Sequence, residues 1–290
     1  MLDFDQIARQ LMLASNRSLV DRLALLKRLC PRIVQQIEQD RGCSGPLIFW
    51  GRCRNVDEFA GTVIVQSPIL ELIFHVAQQP FFPRHPHASL QHTYGYLFSI
   101  IDTPFGKKRD RWVHTSLEKS LGLPTDLIGP SPSCGTLLAN VTWLAGSIAF
   151  RGHARRQWLQ RCLSKRVAPT VRDLQLDQLP RLRVTETVAL QQVHGRRARV
   201  SLIVDLVQLP ASNYEMDPWL LVYSIADDRN RHPEIITLFT VSDRFVDSIR
   251  ARASDPKASD IRLRYNAWVY GFPTEPQAGT VRQTSSHCQN

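Results

Sequence analysis

Four apolar runs in the last third of the chain, paired around short polar turns, restrict the fold more than any other feature. The runs span residues 182–190, 199–209, 218–226 and 235–242. They are rich in β-branched and aromatic residues, and the turns between the paired runs contain Gly195 and Asn230. This pattern is typical of antiparallel hairpins. We therefore expect two hairpins in one sheet, followed by a helix over 244–253 and a final strand over 261–272.

The N-terminal segment has helical spacing instead. Asp3 can cap a short helix, and Ser18 followed by Asp21 is a variant of the capping box that starts a second helix. Pro31 lacks a backbone donor, so the chain either kinks there or begins a new helix with proline at its first position. The dipeptide Arg41-Gly42 is typical of a helix end.

The middle of the chain mixes shorter elements. Strands are expected over 47–50, 62–66 and 94–102, and helices over 67–75, 116–121 and 154–166. This order predicts an α+β fold with a curved antiparallel sheet, either open or curled into a partial β-barrel, and with N-terminal helices and flanking helices. We expect an N-terminal helical segment (1–42) packed on a core domain (43–273), and a flexible C-terminal tail (274–290).

Positive charge is concentrated in residues 151–199. The chain has a formal net charge of +10, and this stretch alone holds twelve basic residues against three acidic ones, an excess of nine. The basic residues are Arg151, Arg155, Arg156, Arg161, Lys165, Arg166, Arg172, Arg181, Arg183, Arg196, Arg197 and Arg199. Such a field attracts anionic partners, either nucleic acid, an acidic protein or a phosphorylated substrate. A solvated surface without any partner explains it equally well.

Helical spacing divides the residues of the predicted helix over 154–166 between two faces. Trp158, Leu159, Cys162 and Leu163 are expected to face inward. Arg155, Arg156, Arg161 and Lys165 are expected to lie outside, where they would bind an acidic partner.

Several classes of protein are disfavoured. We find no Gly-rich dinucleotide fingerprint and no phosphate-binding loop, so we expect no nucleotide cofactor. No two of the six cysteines are spaced as Cys-x-x-Cys, which argues against a thiolate zinc site. Asp3 and Asp5 stand where a secretory signal would be basic, and the longest apolar run, roughly 137–150, is shorter than the ~20 residues that cross a bilayer. We expect a cytoplasmic protein with no metal, cofactor or membrane partner.

Five of the nine histidines lie between residues 75 and 114. Imidazole acts as an acid or a base near neutral pH, so His92 and His114 are candidate catalytic residues. A metal site is a weaker alternative, because Pro86 need not let His85 and His87 converge and no carboxylate lies between residues 72 and 101. Ordinary loop histidines are the third interpretation.

The next segment adds aromatic and charged candidates. If residues 94–102 form a strand, Tyr94, Tyr96 and Asp102 share one face. That face would suit a substrate pocket with Asp102 as a catalytic carboxylate, and an aromatic core face is the alternative. The cations that follow are Lys107, Arg109 and Arg111, which either clamp an anionic substrate or are simply solvated.

Glu186 and Cys134 complete the catalytic candidates. Glu186 takes the middle position of the apolar face from Leu182 to Leu190, where a carboxylate is either functional or held in a structural ion pair. Cys134 directly precedes the uncharged run 136–150. If a helix starts there, its amides would lower the pKa of the thiol and favour acyl transfer, whereas a buried, inert cysteine is the alternative.

Together these candidates favour a cofactor-independent enzyme of the lyase, cyclase or transferase type. It would act on a small or carrier-bound organic substrate, acyl groups included, by acid–base chemistry such as condensation, cyclisation, elimination or acyl transfer. A role in specialised-metabolite biosynthesis is the context we expect. The alternative is a nucleic-acid-binding protein or nuclease-related accessory subunit that uses the arginine-rich stretch 151–199, and a structural protein is a third hypothesis.

Overall fold

A computed structural model of the chain shows helices packed on an antiparallel sheet. The residues described are 3–41, 45–57, 61–103, 107–112, 135–191, 197–209, 219–227, 232–254, 267–268 and 282–287. The α-helices are α1 (Phe4–Leu13), α2 (Leu19–Leu29), α3 (Pro31–Asp40), α4 (Ser67–Val76), α5 (Ala88–His92), α6 (Leu137–Ala149), α7 (His153–Leu163), α8 (Pro169–Arg172) and α9 (Asp243–Ser254). Short 3₁₀ helices cover Pro46–Phe49, Gly95–Phe98, Lys108–Arg111 and Leu176–Gln178.

Five strands form the main sheet, and the two predicted hairpins supply four of them. The strands are β2 (Arg181–Gln191), β3 (Arg197–Gln208), β4 (Trp219–Asp227), β5 (Glu234–Val241) and β7 (Arg282–His287). Their order is β5-β4-β3-β2-β7, and neighbouring strands are antiparallel. The described strands make an open, curved sheet, so the α+β prediction is confirmed and closure into a barrel is not observed.

A second, two-stranded sheet pairs β1 (Arg52–Cys53) with β6 (Ala267–Trp268). The predicted final strand over 261–272 is described only at residues 267–268, and these pair with β1 rather than with the main sheet. Residues 282–287, within the tail expected to be flexible, form the edge strand beside β2.

The core lies between the main sheet and the helices. All residues of α6 except Ser147 are buried, which fits its uncharged sequence, and α6 packs on β3, β4 and β5. Helix α9 contacts β2 and β7, and the ring of Phe245 on α9 lies against Phe239 of β5. One hydrophobic cluster includes residues from Phe4 to Ala267, so the N-terminal helices share this core. Among the helices described, none is both long and hydrophobic enough to traverse a bilayer.

The predicted helix starts are confirmed because their caps form locally. The Asp3 side chain accepts hydrogen bonds from the amides of Asp5 and Gln6. Ser18 accepts from the Asp21 amide and donates to the Asp21 carboxylate at 2.6 Å. Pro31 begins α3, which decides between the two alternatives for that position.

Three predicted strands are wrong. Residues 47–49 belong to the 3₁₀ helix that begins at Pro46, and Trp50 makes an isolated bridge to Ile235. Residues 62–66 make only one isolated bridge, at Val63, because the Asn55 side chain takes both backbone groups of Val65.

Residues 94–102 also fail to form a strand. Gly95, Tyr96, Leu97 and Phe98 are all buried, so no alternation of inward and outward side chains exists, and the segment coils into a 3₁₀ helix. Gly95 permits this packing, since a Cβ atom there would lie 2.8 Å from Cδ2 of Leu70 on α4.

Candidate functional site

The three catalytic candidates that the structure describes, His92, Asp102 and Glu186, lie in different surroundings. His92 is 3% exposed and stacks on Tyr96, with ring centroids 4.7 Å apart. Asp102 is exposed, and Glu186 is half-buried on β2. Helix α5, which carries His92, contacts β5, and β2 lies three strands away, roughly 14 Å at the usual strand spacing. Cys134 and His114 lie outside the described residues.

Tyr94, predicted to bind substrate, is buried in a polar cluster instead. Its hydroxyl donates to Oδ2 of Asp40 at 2.5 Å, and the hydroxyl of Thr136 donates to Oδ1 of the same carboxylate at 2.6 Å. Burial raises the pKa of Asp40 to about 7, against the opposing effects of both hydrogen bonds and of Arg166. The cluster joins the end of α3 to the start of α6, and its donors and acceptors satisfy one another. Tyr96 is equally buried, beneath His92.

Lys107 and Arg109, which were predicted to bind an anionic substrate, form ion pairs with a carboxylate of the protein itself. Lys107 and Arg109 both contact Asp5 of α1, at 3.3 Å and 2.6 Å. Lys108 reaches the buried carboxylate of Asp57 at 3.0 Å. These ion pairs fasten the loop to the helical layer. The side chain of Arg111 lies outside the described part of the structure.

The prediction that Arg155 faces a partner is wrong. The residue is 8% exposed, and its guanidinium lies against the rings of Phe49, Phe150 and Trp158 at 5.0, 4.9 and 4.2 Å. Burial lowers its pKa to about 10, so it remains charged at neutral pH, and Glu234 opposes that shift. A planar cation pairs well with aromatic faces, and this explains its inward position.

Arg183 of the arginine-rich stretch also points inward. It makes a bidentate pair with the buried Asp205, at 2.6 and 2.8 Å, and donates to the carbonyl of Ala149 at the end of α6. By contrast, Arg161 and Lys165 are exposed and Arg156 is half-buried, so these three stay candidates for contact with a partner. The stretch therefore presents less surface charge than its composition indicates.

A cleft between α6 and α7 is lined by described residues, and the sequence interpretation missed it. Its volume is about 160 Å³. It is lined by Trp143, Ser147, Arg156, Leu159, Gln160, Arg172, Leu174 and Leu176. The two helices can approach closely because Gly146 has no side chain. A Cβ atom at this position would lie only 2.8 Å from the side chain of Leu159.

Helical spacing positions the lining groups. Ser147 follows Trp143 by four residues on α6, and Gln160 follows Arg156 by four residues on α7, so each pair shares a face. This spacing is the signal that sequence reasoning could have used. Arg156 is further held by the hydrogen bond from its Nε to the carbonyl of Phe150 at 2.6 Å.

The cleft combines cationic groups with an apolar floor. Arg156 and Arg172 supply the charge, and within the described chain Arg172 has only an exposed neighbour, Asp173 at 3.5 Å, as its ion-pair partner. Trp143 and three leucines supply apolar surface, while Ser147 and Gln160 offer neutral hydrogen bonds. The described side chains that line the cleft include no carboxylate, imidazole or thiol. Such a lining is suited to binding an organic anion.

Comparisons with protein families, with curated proteins and with solved structures find no match. Within the described ranges, no three His, Cys, Asp or Glu side chains are grouped as a metal ion would require.

Proposed function

We propose that the protein binds a small organic anion, free or attached to a carrier, in the cleft between α6 and α7. The observation that supports this is the pairing of Arg156 and Arg172 with the apolar floor around Trp143. A carboxylate or similar head group would accept charge-assisted hydrogen bonds from the two guanidinium groups. The rest of the ligand would cover the tryptophan and the leucines.

The size of the cleft limits the ligand. A volume of about 160 Å³ is well below the ~300–1,000 Å³ of a pocket for a drug-sized molecule. The ligand is therefore a short acid or the end of a longer chain. Exposed Arg161 and Lys165 on α7 fit an acidic carrier that presents such an end.

Binding is better supported than acid–base chemistry within this cleft. Neither a guanidinium group nor the side chain of Ser147 or Gln160 is an efficient base, so the lining offers charge and shape rather than proton transfer. The enzyme hypothesis requires His92 or Glu186 to meet a substrate elsewhere.

Calorimetry with short acids tests the proposal. Hexanoate and phenylacetate should bind, and hexanamide, which has the same length without the charge, should bind far more weakly. Arg156→Gln and Arg172→Gln should each weaken acid binding by roughly 10- to 100-fold, the effect of losing a charge-assisted hydrogen bond. Arg161→Gln, on the exposed side of the same helix, is the matched control.

A variant that blocks the cleft provides a second test of hexanoate binding. Ser147 is the half-exposed residue of α6, so Ser147→Phe can fill the cleft without entering the core. Equal binding of hexanoate by the wild type, the two arginine variants and the blocked variant would refute the proposal, as would a failure of every acid to bind.

A further inference from the structure

A basic surface surrounds β1 and shares no residue with the cleft. Along residues 52–55 the side chains alternate, with Arg52 and Arg54 half-exposed and Cys53 and Asn55 buried. Alternation places both guanidinium groups on one face of the strand. Arg52 also forms an antiparallel bridge with His87, which brings the loop over 82–87 beside that face.

Arg52 and Phe82 form a stacked pair in this surface. The guanidinium carbon of Arg52 lies 4.6 Å from the centre of the Phe82 ring. A hydrogen bond from Nη1 of Arg52 to the carbonyl of His85, at 3.1 Å, fixes the guanidinium in that position. Phe82 is 49% exposed, so a large part of the ring remains open to solvent. An exposed aromatic ring backed by a fixed cation is a platform for a flat ligand.

The charges that act on the two histidines beside this platform are those of arginines. Burial lowers the pKa of His85 to about 4, and the charges of Arg54, Arg52 and Arg84 add to that effect. Burial and Arg52 likewise lower the pKa of His87 to about 4, so both imidazoles are neutral near pH 7. Within the described residues, neither Arg54 nor Arg84 makes an ion pair. The nearby carboxylate of Glu234, beside Gly51, acts on Arg155.

We propose that Phe82, Arg52, Arg54 and Arg84 form a binding platform for single-stranded nucleic acid. A base stacks on the open part of the Phe82 ring, and the phosphates on either side of that base contact Arg54 and Arg84. Stacking on an aromatic side chain combined with arginine contacts to the backbone is how single strands bind without sequence preference. This proposal is independent of the cleft.

The chemistry of the platform selects this ligand over other anions. An acidic protein or a simple phosphate would satisfy the arginines and leave the Phe82 ring unused. Duplex DNA keeps its bases stacked on one another, so no base face is free for the ring. A single strand offers an unstacked base and a phosphate to each side of it, and so uses both parts of the surface.

Fluorescence anisotropy with labelled dT12 and rU12 at two salt concentrations tests the proposal. Binding should be salt-sensitive, and an abasic strand of equal charge and a duplex should both bind more weakly. Phe82→Ala should weaken binding of the single strand by roughly 5- to 100-fold, the range for loss of one stacked base. Arg54→Gln and Arg84→Gln should each reduce the slope of log affinity against log salt by about 0.7.

Three matched variants separate this surface from others. Arg28→Gln removes an exposed arginine from α2, and Val20→Ala trims an exposed apolar side chain from the same helix, so neither should alter binding. The double variant Arg161→Gln/Lys165→Gln removes exposed charge from α7 and should also retain binding through Phe82. Unchanged unfolding temperatures show that each variant is folded.

The proposal is overturned if no salt-sensitive binding occurs, or if the duplex and the abasic strand bind as tightly as dT12. It is also overturned if Phe82→Ala binds normally, or if the α7 double variant loses binding. None of these results bears on hexanoate binding in the cleft, so the two proposals fail separately.

Discussion

Replacing Asp40 with asparagine should change how the stability of the fold depends on pH. Asp40 is 1% exposed, and its carboxyl group accepts from Tyr94 and Thr136. Burial raises its pKa to about 7, whereas an aspartate in an unfolded chain titrates near 3.9. Between about pH 4 and pH 7 the folded protein therefore keeps a proton that the unfolded chain releases.

The direction of the effect follows from that difference in bound protons. Stability from this group is fully present below pH 4 and is lost as the pH rises through 7, at about 1.4 kcal/mol per pH unit. An asparagine side chain cannot ionise, so Asp40→Asn avoids this loss. From pH 5 to pH 8 the free energy of unfolding of the variant, relative to wild type, should rise by about 3 kcal/mol, two pH units of the titration.

Urea denaturation at pH 5, 6, 7 and 8, followed by tryptophan fluorescence, measures this change. The comparison between variant and wild type cancels the other titrating groups, and Glu38→Gln, which removes an exposed carboxyl from the same helix, is the control. A difference that stays constant across this range, or one that moves in favour of the wild type as the pH rises, would refute the reasoning. The second outcome would mean that Asp40 is ionised and stabilised by its neighbours.

Substitutions at three further sites test the packing around two arginines and the start of α6, each measured as a free energy of unfolding. Arg155→Ala should cost about 2–3 kcal/mol because three aromatic rings lose their partner, and Arg155→Lys should recover only part, since an ammonium lacks the planar face. Asp205→Ala should cost about 3–5 kcal/mol, because it leaves the Arg183 guanidinium without its carboxylate, and a well-packed apolar replacement of both residues should restore most of this. Gly135→Ala should destabilise by more than ~1 kcal/mol, since Gly135 has a φ of +68° and an added Cβ atom would lie 2.4 Å from the carbonyl oxygen of Arg166.

Local signals explain which parts of the fold could be predicted. The caps at Asp3 and Ser18 and the start of α3 at Pro31 depend on residues within one helical turn, and all three form as expected. The two hairpins carry β-branched runs long enough to define a strand on their own, and both are present in the sheet. In these regions the local preference and the tertiary packing agree.

Segments buried on every side could not be predicted from periodicity. Residues 94–98 carry an apparent period of two through Tyr94, Tyr96 and Phe98, yet Gly95 and Leu97 between them are buried as well. With no exposed positions, a strand and a helical turn give the same hydrophobic pattern. The predicted pocket of Tyr94, Tyr96 and Asp102 depended on that strand and was lost with it.

Arg155 shows a related limit of sequence-based prediction. A helical projection assigns residues to the inner or outer face by their polarity alone. It placed Arg155 outside with Arg161 and Lys165, and it carried no information about the aromatic rings that other segments bring to the same position. Phe49 is more than a hundred residues away in sequence. An arginine can be buried wherever such faces meet, so composition alone overestimates the exposed charge of residues 151–199.

Summing charge along the sequence also fails to reveal basic surfaces that form only when the chain folds. Residues 52–84 contain three arginines and three acids, so this segment as a whole has a net charge of zero with histidine neutral. In the fold, Asp57 pairs with Lys108 and Glu71 pairs with Arg22, each on another element. Arg52, Arg54 and Arg84 all act on His85. The ion pairs of Asp57 and Glu71 with other elements, rather than the sum of charges along the sequence, therefore explain why the proposed platform carries an excess of arginine.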